Sequence, residues 1–320
     1  MPLLLTDRAV AVSPVPLLTA AACRMQGIPV SPEVLRRVRH GLYVERGAYE
    51  RLPPWSKYAV RVHAFAMKHP EATLCLESAA VLHGLPSFGE TRDIHVHSAE
   101  RARSRRFGDV LVHTSSDPRA VELVSGVRVT GLLDTVVDLG RALPPAQALA
   151  VMDSATSPAQ GGPLSLDGLR LRSDAQVNRR GRARLRWLWA HVDGTAESPA
   201  ESVSRAVILW SGFETPELQR SFTYEGAVDR VDFHFPSTGS IGEVDGWEKY
   251  GLGNPAAAAQ SLAAEKRRED RLRRNGHPFA RWEFADAWKV RPLQHALLAA
   301  GVERVAPPQL QLLSTLRSRR

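Results

Sequence analysis

The chain has 320 residues, 43% of them apolar, and a formal net charge of +8. That length allows two or three domains with their own cores, and no run of about 18 apolar residues exists to cross a membrane as a helix. The basic excess favours a polyanionic partner. The opening MPLLLTDRAVAVSPVPLL lacks a basic n-region and a clean apolar stretch, so no signal peptide is expected. Cys23 and Cys75 lie far apart in apolar contexts, which fits a reducing cytoplasm better than a disulfide.

Taken in order, residues 1–55 read as a winged helix-turn-helix. An apolar helical run over 15–25 ends at Gly27. Ser31-Pro32 then supplies an N-cap and a proline at the first helical position for a second helix over 33–39. That helix would present Arg36, Arg37 and Arg39 to DNA phosphates, and 42–44 would be the strand leading to a wing tip. Residues 56–157 form an expected α+β middle domain, with helices over 56–68, 77–82, 132–142 and 145–155 and strands over 93–97, 109–114 and 128–130. Its His95, His97 and His113 have no acidic or cysteine partner at ligand spacing and read as ordinary histidines rather than a zinc site. An arginine-rich connector follows over 158–196.

The last structured region, 197–300, carries the chemistry. Ser198-Pro199-Ala200-Glu201 has capping-box spacing and opens a helix to Trp210. After a strand over 218–224, Val231, Phe233 and Phe235 alternate with Asp232 and His234, the period of a half-buried strand. Ser237-Thr238-Gly239 turns the chain into a second strand, 241–245, stopped by Gly246. A turn at Thr238-Gly239 would set Asp232 opposite Asp245; a turn at Ser237-Thr238 would set it opposite Glu243. Either register is expected to gather Asp232, Glu243 and Asp245 on one face. Three crowded carboxylates repel one another unless a cation sits among them, and Mg²⁺ (or Mn²⁺) suits oxygen ligands. A helix over 256–274, a strand over 279–284, a helix over 288–299 and a loose basic tail over 301–320 complete the expected α-β-β-β-α-β-α order, a mixed sheet flanked by helices.

Asp232-Phe233, Gly242-Glu243-Val244-Asp245-Gly246, Lys249-Tyr250 and the run from Glu265 to Leu272 resemble the nuclease-like domain related to very-short-patch-repair endonucleases, in the PD-(D/E)XK superfamily. The resemblance implies a restriction-endonuclease-like fold, with Asp232 and Glu243 as metal-holding acids and Glu201 as the acid of the first helix. Asp245 stands where the superfamily triplet has lysine, so Lys249, Lys266 or Arg267 would have to stabilise charge on the phosphate. Arg36 to Tyr43, Ser78 to Pro86 and Thr135 to Leu139 are similar, more loosely, to AbiEi-type antitoxins, which implies a winged-helix module and a cognate toxin as partner. The expected function is a cytoplasmic DNA-binding protein with a Mg²⁺-dependent endonuclease domain in phage defence or DNA repair. The alternative is an antitoxin-like transcriptional regulator whose nuclease fold is inactive.

Overall fold

A computed structural model describes residues 2–89, 91–101, 103–245 and 255–317 of the protein. The fold is α+β, and the chain divides into two compact units. Leu3–Leu143 with Gln160–Ala190 make the first; Pro144–Ala159 with His191–Arg320 make the second.

The first unit begins with α1 (Leu5–Arg8), β1 (Leu18–Thr19), α2 (Ala20–Met25), β2 (Leu35–Arg39), β3 (Leu42–Glu45) and α3 (Arg46–Arg51). The expected second helix over 33–39 is a strand. Residues 32–34 are a turn, and β2 pairs antiparallel with β3, which pairs in turn with β1. Val34, Leu35 and Val38 have a helix-like spacing, but Gly41, at φ +70°, makes the tight reversal that hands β2 a partner, and the ladder outcompetes local preference. Val15, Val44, Tyr49 and Val60 form the small core beneath.

Next come α4 (Pro54–Lys68), β4 (Thr73–Leu74), α5 (Leu76–His83), β5 (Ile94–Ser98), β6 (Arg105–Phe107), β7 (Val110–Thr114), β8 (Val121–Val124), β9 (Val127–Thr130) and α6 (Leu132–Ala142). The strands form a mixed sheet in the order β6-β7-β5-β4-β9-β8, with Tyr58, Leu74, Leu82, Ile94 and Val129 fully buried against it. Cys23 and Cys75 are both free and buried, as expected. After α7 (Pro145–Thr156), which belongs to the second unit, α8 (Leu166–Ala175) and α9 (Arg182–His191) close the first. In this connector Arg182 and Arg184 donate to backbone carbonyls of residues 173, 176 and 142.

The second unit continues with α10 (Pro199–Trp210), β10 (Glu217–Tyr224), β11 (Ala227–Phe235), β12 (Ser240–Asp245), α11 (Pro255–Arg274), β13 (Phe279–Glu283), α12 (Phe284–Lys289), α13 (Arg291–Ala299) and α14 (Leu310–Ser314). Its sheet runs β10-β11-β12-β13, antiparallel except for the parallel pair β12–β13 that α11 connects. On one side Val231 and Ile241 pack against Leu272 of α11. On the other, Phe233 stacks on Trp282, whose indole N–H donates to Ser204 of α10 at 2.9 Å. Helix α7 lies along α10, where Arg205 and the buried Asp153 pair at 2.6 Å. The expected loose tail is instead tied down in part, because the Gln309 N–H donates to the Trp210 carbonyl at 2.7 Å and Val305 to Gly212 at 2.7 Å.

Gly242 lets the two faces close. A Cβ there would stand 2.8 Å from the Trp282 ring and 3.3 Å from Phe233 Cβ. The ring is pinned by Ser204 and cannot simply yield. Gly242→Ala is therefore expected to cost about 1–3 kcal/mol, the usual range for overpacking, read as a lower midpoint in urea unfolding.

Candidate carboxylate centre

The register realised pairs Phe235 with Ser240, His234 with Ile241 and Phe233 with Gly242, the register of a turn centred on Ser237-Thr238, and the pairing of β11 with β12 stops short of Asp232. The hairpin loop spans 236–239, longer than either expected turn. Regular alternation nevertheless fails at Asp232. Val231 faces α11 while Phe233, two residues on, faces α10, although a regular strand would keep them on one side. On the neighbouring strand the ladder pairs Leu218 with Phe233 and Arg220 with Val231, and the intervening Gln219 takes the left-handed region at φ +52°. Asp232 therefore lies at the point where both ladders are interrupted. Its Oδ2 accepts the Val244 N–H at 3.1 Å.

Glu201 reaches this place from the first turn of α10 and is 4% exposed. Ser198 caps the helix by accepting the Glu201 N–H at 3.2 Å and donates its hydroxyl back to Glu201 Oε1 at 2.9 Å. Oε2 accepts the Glu197 N–H and the Gln219 side-chain amide, both at 2.9 Å. Capping and membership of the cluster thus coexist in one side chain. Burial, and then the charge of Asp232, push the Glu201 carboxyl up to about 8.

Glu243 is 3% exposed. Its Oε2 accepts Arg268 Nη2 at 2.5 Å and Arg281 Nη2 at 3.4 Å, while its Oε1 is buried with no hydrogen-bond partner among the described residues. Burial pushes this carboxyl up to about 7; Arg268 opposes the rise and Asp232 adds to it. Asp232 is thus the acid whose charge is felt by both buried glutamates. Asp245 instead pairs with Arg281 Nε at 3.1 Å, and Arg281 also meets Glu265 and Glu269.

The expected ion ligands Asp232, Glu243 and Asp245 are neighbours, but Asp245 stands with Arg281. Among the described residues no three acidic, histidine or cysteine groups stand in metal-holding geometry. Lys266 and Arg267 are exposed on α11; the residue of that helix that reaches Glu243 is Arg268, four positions before the buried Leu272 and so on the same helical face. Lys249 lies outside the described residues. Arg268, Arg281 and Gln219 were not singled out from sequence. The spacing from Leu272 was the available signal for Arg268, while Arg281 and Gln219 come from other strands and had none.

In the first unit the strand geometry changes the expected DNA surface. Arg36 and Arg37 are exposed on β2, opposite Val44 and Tyr43 respectively, and so project to opposite faces. Arg39 is drawn inward, paired with Asp109 at 2.9 Å and set over the Phe65 ring. A groove of about 440 Å³ lies here, bordered by Pro32, Arg36, Arg37, Tyr43 and Arg46. His95 and His113 hydrogen-bond to each other at 2.9 Å, with Glu77 3.5 Å from the far nitrogen of His95.

No family model matches the chain. Two uncharacterized proteins of Mycobacterium tuberculosis, one from strain CDC 1551 and one from strain H37Rv, are each 32% identical to it over 167 residues. The match covers 52% of this chain and 59% of theirs, so the chain spans little more than half the length of the curated relatives it matches. Among the described residues no helix is long and apolar enough to cross a membrane.

The raised carboxyls couple stability to pH. Folded Glu201 and Glu243 keep protons that the unfolded chain, titrating near 4.5, gives up. The stability they contribute is complete below about pH 4.5 and lost as pH rises through about 7 to 8. In EDTA, the second unit is expected to lose on the order of 2 kcal/mol between about pH 5 and pH 8. Glu201→Gln should flatten much of that slope in urea titrations at each pH.

Proposed function

We propose that the second unit is a divalent-ion-dependent phosphodiester hydrolase and that the first unit delivers it to DNA in the cytoplasm. The observation that carries this reading is the buried Oε1 of Glu243, without a partner among the described residues, in a unit where Asp232 acts on both Glu243 and Glu201. A buried carboxylate oxygen with no donor is costly unless something else completes it. The donor set, all carboxylate oxygen, fits Mg²⁺ or Mn²⁺. Asp232 and Glu243 would hold the ion, with Asp245 as a further oxygen donor.

When bound, such an ion polarises a phosphoryl oxygen and lowers the pKa of a ligated water. The remaining roles belong to the chain. Arg268 and Arg281 stand at the carboxylates with guanidinium groups whose fork geometry also matches phosphate, and they supply the positive charge expected of Lys249, Lys266 or Arg267. Glu201, whose carboxyl burial and the charge of Asp232 raise to about 8 in the ion-free unit, stands beside Asp232 as a group able to take up or release a proton. In the first unit Arg37 and Arg46 border the groove and offer charge to the DNA backbone.

A second reading, a non-cleaving antitoxin-like regulator with a toxin partner, is favoured by one observation. The two arginines already engage Glu243 and Asp245, so the acids are neutralised within the unit itself. Incubation with supercoiled plasmid, single-stranded DNA and RNA in Mg²⁺, Mn²⁺ or EDTA separates the two. Cleavage by the wild type, stopped by EDTA and reduced at least ~100-fold in Glu243→Gln, is the expected result. No cleavage of any substrate, with DNA binding retained, would put the regulator in its place. Under both readings Arg37→Glu is expected to weaken DNA binding about 10-fold at low salt and to reduce its salt dependence, measured by fluorescence anisotropy.

A further inference from the structure

Five residues other than glycine have positive φ among the described part of the chain: Leu76, Ser125, Gln219, Glu225 and Val290. Ser125 and Glu225 each precede a positive-φ glycine in a two-residue hairpin turn, Ser125-Gly126 between β8 and β9 and Glu225-Gly226 between β10 and β11. Those are positions where left-handed backbone is the rule. Leu76 begins a helix and Val290 separates two. Gln219 alone of the five stands inside a strand. The pairing on either side of it keeps the same register, so no inserted residue requires the conformation.

The left-handed backbone at Gln219 has two consequences at one place. It lies beside Asp232, where the β11 faces exchange, and it brings the side-chain amide to Glu201 Oε2 at 2.9 Å. A strained conformation persists where the surroundings over-determine it, and such positions cluster at functional sites. Removal of the amide would leave Oε2 of a 4%-exposed carboxylate with the Glu197 N–H as its remaining donor among the bonds described.

We infer that Gln219 is a positioning residue of the carboxylate centre. Its left-handed backbone aims the amide at Glu201, and that bond fixes the Glu201 carboxyl beside Asp232, one of the acids that would hold the ion. The inference rests on the ion-centre reading and deepens it. Groups that orient ligands from outside the coordination sphere typically change metal affinity 10- to 100-fold when lost.

The test uses full-length protein and Mn²⁺ alone, with binding followed by the electron paramagnetic resonance of free Mn²⁺ and folding by thermal melts. Gln219→Met keeps the length of the side chain and removes the amide. Its dissociation constant for Mn²⁺ is expected to rise about 10-fold. Gln219→Gly removes the amide and also accepts the left-handed backbone; it is expected to melt no lower than the wild type while showing the same loss of Mn²⁺ affinity. A dissociation constant within twofold of wild type in Gln219→Met overturns the role of Gln219 and leaves the ion centre standing. A wild type that takes up no Mn²⁺ overturns the ion centre and this inference together.

Discussion

The second unit is organised around the cost of keeping carboxylates out of water. Glu201 and Glu243 are almost wholly buried, with Asp232 acting on both. Ionised together and unpaired, they would repel one another in a medium that screens poorly. The unit meets that cost in three ways. The pKa of each buried glutamate is raised, to about 8 at Glu201 and about 7 at Glu243, guanidinium groups from α11 and β13 reach Glu243, and backbone or amide donors reach Glu201 and Asp232. Among the carboxylate oxygens described in this unit, Glu243 Oε1 is left over.

The interruption of the sheet follows from the same constraint. A regular β11 would turn the Asp232 side chain fully to one face, whereas Glu201 comes from α10 and Arg268 from α11, on the two sides of the sheet. With the alternation broken at Asp232 and the backbone of Gln219 reversed, the carboxylate meets the Val244 N–H beside the ladder and remains close to both glutamates. Gly242 and Trp282 then close the opposite face, and Ser204 fixes the ring. Buried ionic clusters of this kind are a poor source of stability compared with apolar side chains of equal volume.

Much of this was legible beforehand because it is written in short-range pattern. The apolar alternation of Val231, Phe233 and Phe235 marks β11, the Ser198-Pro199 start marks α10, and the element order of the second unit follows from such segments one after another. The error at 33–39 has the opposite cause. Val34, Leu35 and Val38 are spaced as a helix would space them, and nothing within those residues announces the β3 partner across Gly41. The consequence for the basic surface is direct, since a strand sends Arg36 and Arg37 to opposite faces where a helix would have grouped them, and Arg39 is taken by Asp109.

The amino-acid sequence by itself determined the α+β class, the hairpin that carries Asp232 and Glu243, and the presence of an acidic centre within a basic chain. These depend on residue type and on periods of two and 3.6, which are properties of neighbours along the chain. Tertiary structure alone decided which cation meets which acid. Arg268 replaced Lys266 and Arg267 because helix phase relative to Leu272 selects the inward face, and Arg281 joined because the parallel pairing of β12 with β13 sets Arg281 opposite Glu243. Gln219 entered the site for the same reason. Its role depends on a backbone reversal and on a helix about twenty residues earlier, and contacts of that kind exist only once the sheet and α10 have closed on each other.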